Sequence, residues 1–161
     1  MQLKHVLEHF KIIFGKKWNT NPSYLIVPKK WKRKEYEMGI FDEELFLKGL
    51  EKRKQTLGAE YVENNIANAD DFTRPFQEAM TAWCWGFGWG DEVIDAKTRS
   101  MMNLSMIGAL GKMTEWELHC RGAVRNGVTK EEIRAIIHVI AIYCGVPQAL
   151  ECFRVAKKVL E

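Results

Sequence analysis

Glu115 and His119 stand four residues apart in a stretch with helical spacing, so their side chains project from one face. A carboxylate beside an imidazole can hold its tautomer and raise its basicity, which suits a general acid–base. The plainer alternative is a surface pair worth a few tenths of a kcal/mol. Arg99, in the first turn of a methionine-rich helix, can grip a carboxylate through two parallel hydrogen bonds, or simply pair with a neighbouring acid. His138 lies among isoleucines and by itself reads as a hydrogen-bonded core histidine. Cys84 has nothing near it in sequence to lower its pKa, so packing is its expected role. Glu115, His119 and His138 have no H-x-x-x-H or H-E-x-x-H spacing, so no metal is expected. The four cysteines contain no C-x-x-C pair and are expected to be buried free thiols.

The elements that must position these groups are helices. Leu3, Val6, Leu7, Phe10, Ile13 and Phe14 recur at helical spacing and predict a helix over 2–14. The aperiodic stretch to Ile40, with Pro22 and Pro28, reads as an irregular arm. Asp42 predicts a cap for a helix running to Leu57 and stopped by Gly58, followed by a short helix over 60–67. Thr73 and Pro75 open a helix expected to run to Trp85 and end at Gly86, with Gly86, Gly88 and Gly90 in a connection. Asp95 caps 96–110, which Gly111 closes. Thr114–Glu117 and Thr129–Glu132 both fit the S/T-x-x-E capping box. Gly127 and Gly145 end those two helices, and Pro147 starts a last one over 147–160. No strand signal appears, so the fold class is all-α. Two helices, around Met101–Leu110 and Ile136–Ile142, are apolar on more than one face, which predicts an obligate oligomer.

The chain has 161 residues, 47% hydrophobic and 28% charged, enough for one domain with a substantial core. Residues 1–40 hold nine Lys and Arg against three Glu, and the remainder fifteen against eighteen acids. The organisation expected is a basic extension over 1–40 and a helical domain over 41–161. The basic run at 29–34 is read as a solvated arm, because no nucleic-acid motif accompanies it. No apolar run is long enough to span a membrane, and the start is not a signal peptide, so the expected location is the cytosol. Six tryptophans are many for this length, and Trp83, Trp85 and Trp89 fall within seven residues.

From about Leu45 onward the chain resembles the carboxymuconolactone decarboxylase family, of the alkyl hydroperoxidase D-like superfamily. The resemblance is carried by Gly49-Leu50-Glu51, Leu57-Gly58, Asp71-Phe72, Phe76-Gln77, Trp85-Gly86-x-x-Trp89, Thr98-Arg99-Ser100, Glu115-x-x-x-His119-x-Arg121, Asn126-Gly127-Val128-Thr129 and Tyr143-Cys144-Gly145-Val146-Pro147. It implies an all-α fold assembled as a homotrimer or homohexamer. It also implies a cofactor-free decarboxylation of a small lactone or cyclic carboxylic acid in aromatic-compound breakdown, with no nucleic-acid or membrane partner. On this resemblance His119, oriented by Glu115, is the proton donor, and Arg99 grips a carboxylate or the developing oxyanion. Trp85, Trp89, Phe87, His138 and Cys144 line the substrate pocket. The family's Trp-Gly-Glu-x-Trp-x-Arg-Pro-Gly differs here at Phe87 and Asp91. Exchanging a cation for an acid predicts poor binding of the namesake substrate. Two alternatives are a non-catalytic oligomeric small-ligand-binding protein and an alkyl hydroperoxidase D-like peroxidase. The second is disfavoured, because Cys120 has no partner cysteine at the required spacing.

Overall fold

The computed structural model describes residues 43–161. The expected helix over 2–14, the basic arm, the boundary near residue 40 and the Asp42 cap lie outside the described residues. Those described form α1 (Glu43–Leu57), α2 (Ala59–Ala67), α3 (Arg74–Met80), a π-helical segment (Thr81–Gly88), α4 (Ala96–Ala109), α5 (Met113–Arg125), α6 (Lys130–Cys144) and α7 (Val146–Leu160). No strand occurs among them, and no helix among them is long and apolar enough to cross a membrane.

Helices α4–α7 close over one apolar core built on Leu104, Trp116, Cys120, Ile133, Ile137 and Cys152. Trp116 is fully buried and its indole N–H donates to the Cys152 carbonyl at 3.2 Å, so its polar atom is satisfied inside the core. The Thr129 capping box forms as the sequence predicts. The Thr129 hydroxyl accepts from the Glu132 amide at 3.2 Å, and the Glu132 carboxylate accepts from the Thr129 amide at 2.8 Å. Asp95 likewise caps α4 by accepting from the Thr98 amide at 2.7 Å.

Three expectations need correction. The Thr114 box does not form: α5 starts at Met113, with Lys112 at the cap position and no side-chain cap bond. Met113 is packed against the core, which draws the first turn two residues earlier and leaves Thr114 inside the helix. Gly86 is not a helix stop. The chain continues from α3 as a π-helix through Gly88, with a five-residue bond from the Trp89 amide to the Cys84 carbonyl at 2.9 Å. A glycine on each side lets it approach α1: a Cβ at Gly86 would lie 2.1 Å from the Leu45 carbonyl oxygen, and one at Gly49 of α1 would lie 2.0 Å from that of Thr81. Finally, only Cys120 and Cys152 are buried thiols; Cys84 and Cys144 are exposed.

The two over-apolar helices are covered on one side only. In α6, Ile136, Ile137 and Ile140 enter the core while Val139 and Ile142 stay exposed, Ile142 by 76%. In α4, Leu104 is buried while Met102, Met106 and Leu110 are exposed.

Candidate active site

His119 sits halfway along α5, between inward-facing Trp116 and Ala123, at the point where the helix nears the π segment. Its ring is half-buried and stacks on two indoles. The Trp85 ring lies 6.1 Å away at 8°, and that of Trp89 6.5 Å away at 26°. The two indoles lie 4.8 Å from each other. Trp85 is buried and Trp89 half-buried, so the imidazole faces a rigid aromatic wall.

The imidazole's hydrogen-bond partner is Asn103 of α4, whose amide nitrogen stands 2.9 Å from Nδ1. With that amide donating, Nδ1 is the acceptor and Nε2 carries the proton. Burial pulls the His119 pKa down to about 4, and the negative charge of Glu115 opposes the shift only in part. The ring is therefore neutral at pH 7. Glu115 is exposed and acts on His119 through its field, while Asn103 sets the tautomer. Sequence reasoning missed Asn103, although a lone amide between Met102 and Leu104 on an apolar helix was a usable signal.

Arg99 makes a different kind of contact from the one anticipated. Its guanidinium donates to the carbonyls of Gly88 at 2.7 Å, Asp91 at 2.5 Å and Ile94 at 3.2 Å. It thereby ties the end of the π segment and the loop after it to the first turn of α4. Beside this clasp lies a cavity of about 200 Å³ lined by Lys52, Thr56, Trp89, Asp91, Arg99 and Asn126. Trp89 thus belongs to both the cavity and the stack on His119.

Phe87, His138 and Cys144 are not brought into this cluster. Residues two apart on a helix point to nearly opposite sides, so Phe87 stacks outward on Trp83 at 4.9 Å and is 60% exposed, while Trp85 and Trp89 face inward. His138 is exposed and packs against Phe153 of α7, and Cys144 is exposed at the end of α6. Cys120 directly follows His119 but faces the core, where burial pushes its thiol up to about 12. It carries no thiolate at neutral pH.

A small all-α domain whose polar chemistry converges on one neutral histidine, walled by two tryptophans, defines the class. The chain belongs to the carboxymuconolactone decarboxylase family, whose profile matches residues 74–158. Over 116 residues it is 45% identical to nitrosuccinic acid decarboxylase of Metarhizium robertsii, covering 72% of this chain and 81% of that protein. Over 120 residues it is 32% identical to 4-carboxymuconolactone decarboxylase of Acinetobacter baylyi, covering 74% of this chain and 90% of the relative. The chain is accordingly a decarboxylase of this type, a carbon–carbon lyase.

Proposed function

We propose that this decarboxylase acts on a small dicarboxylic acid whose departing carboxylate sits next to an electron-accepting group, a nitro group or an unsaturated lactone. The substrates named for the two relatives share that logic. The bond to the carboxylate breaks, CO2 leaves, and the electron pair moves onto an oxygen of the acceptor as a nitronate or dienolate. A proton then adds to carbon. The observation that carries the reading is the neutral imidazole of His119, fixed by Asn103 and walled by Trp85 and Trp89.

His119 has two parts to play in this reading. Its Nε2–H is a preset donor to the oxyanion, in a setting with little competing water. As negative charge develops beside the ring, the imidazolium becomes less costly, and the same nitrogen relays a solvent proton to carbon. Arg99 acts as a positioning residue, holding the loop that follows Trp89. The departure at Asp91, which lines the cavity, together with the two relatives' identities, favours a nitro acid over the lactone acid. The working form in this reading is a cytosolic homotrimer or homohexamer. Its support is the exposed apolar side chains of Met106, Leu110 and Ile142, and the four free thiols; sedimentation at several concentrations tests it.

The test is CO2 release and product identity with nitrosuccinate and with 4-carboxymuconolactone. His119→Ala is expected to lower turnover by about 100-fold or more, with Asn103→Ala in between. Turnover unchanged in His119→Ala, or no CO2 from either acid, overturns the reading.

A further inference from the structure

Arg53 is the most anomalous group in the described chain. It lies in α1 and is 3% exposed, yet its one hydrogen bond runs from Nη1 to the Thr81 hydroxyl at 3.0 Å. Nε is sealed from solvent with no partner. Nη2 has no partner either, but it is not sealed. Among the described residues no Asp or Glu pairs with the guanidinium, and the titratable groups facing it are Tyr61 and Cys84, neither of them a carboxylate. One turn before Thr81 on the same helix, Gln77 also holds a sealed oxygen without a donor. A buried cation with no counter-charge is costly, and a water molecule could satisfy Nε but would not balance the charge.

The unused nitrogens are also the informative ones. With Nη1 taken by Thr81, Nε and Nη2 remain as the parallel fork that matches the two oxygens of a carboxylate. The neighbourhood fits as well. Arg53 lies between Gly49, which packs on the π segment carrying Trp85, and Thr56, whose carbonyl abuts Gly122, three residues after His119. The nearby cations are otherwise engaged, Arg99 with three carbonyls and Lys52 with Glu92 at 3.8 Å.

We propose that Arg53 is a carboxylate receptor: Nη2, open and without a partner, meets one carboxylate of an acidic ligand, and a small rotation of the guanidinium brings the now sealed Nε to its second oxygen. The choice of ligand rests on the dicarboxylate reading above: decarboxylation removes one carboxylate, and the retained one needs an anchor. A free monocarboxylate offers the same chemistry, and the experiment separates the two sources.

Succinate, monomethyl succinate and acetate serve as probes, titrated calorimetrically into the full chain, with melting temperatures recorded alongside. Wild type is expected to bind succinate, and Arg53→Gln to weaken that binding by roughly tenfold or more. Arg53→Lys keeps the charge without the fork and falls between; it also carries the test if Arg53→Gln does not fold. Much weaker binding of monomethyl succinate marks the retained carboxylate of a diacid as the occupant. Acetate binding as tight as succinate, and lost in Arg53→Gln, marks a free monocarboxylate; both results support the fork. Unchanged binding of all three probes in both folded variants overturns it, as does no binding to wild type. If wild type releases CO2 from nitrosuccinate and Arg53→Lys shows the same KM, the receptor is overturned and the decarboxylase reading stands. If succinate binding depends on Arg53 but no acid is turned over, the receptor stands and the substrate reading falls.

Discussion

Two regions of this molecule are held together by different physics. Helices α4–α7 meet through side chains, over a core of Leu104, Trp116, Ile133 and Ile137 whose polar atoms are nearly all backbone. Helix α1 and the π segment meet almost backbone to backbone, through Gly49 and Gly86, around the buried polar groups Arg53 and Thr81. The first arrangement stabilises by apolar area. The second gives up apolar burial for close approach and carries the tryptophan wall of the candidate site. Stability and chemistry are thus concentrated in different halves, with His119 at their junction.

That division can be broken or sharpened by substitution. The largest expected effect is Trp116→Ala, which removes the side chain filling the apolar core and should cost about 3–5 kcal/mol in denaturant unfolding. A cost below about 1 kcal/mol would deny the α4–α7 core its role as the stability reservoir. Gly86→Ala comes next. The added carbon meets the Leu45 carbonyl at 2.1 Å, so α1 and the π segment must separate at about 1–3 kcal/mol. Turnover should fall more than stability does, because Trp85 and Trp89 ride on that segment.

The junction itself has a pH signature. His119 titrates at about 4 when folded, against an ordinary 6.5. Between those values the unfolded chain binds a proton that the folded chain does not, so stability falls with falling pH. The contribution is fully present above pH 6.5 and is lost on descending to about 4, amounting to about 3 kcal/mol. An NMR titration should place the His119 ring near pH 4. In His119→Gln this part of the stability–pH slope should disappear; a slope identical to wild type would refute the assignment. The smallest effect expected is Thr129→Ala, about 1 kcal/mol from the lost cap, with turnover unchanged.

Thr129 and Thr114 show how far local pattern reaches. Both head an S/T-x-x-E motif, yet only Thr129 caps, because Met113 packs against the core and shifts the start of α5. Gly86 teaches the same lesson. A glycine in a Trp-Gly-Phe-Gly run reads as a helix stop, whereas its missing side chain is used for contact with Leu45 from another helix. For the site, the sequence pointed to His119, Glu115, Trp85 and Trp89 through spacing and family resemblance. It could not show that Phe87 faces away, that Asn103 holds the imidazole, or that Arg99 spends its donors on carbonyls.

The sequence by itself determined the helical class, the ends of α4, α6 and α7, and the membership of one family. Those features rest on interactions spanning three or four residues, or on motifs preserved in order along the chain. Tertiary structure alone decided the neutral state of His119, the π-helical continuation and the isolation of the Arg53 charge. Each depends on which surfaces exclude water from a group, and desolvation is set by neighbours from distant helices that no local pattern encodes.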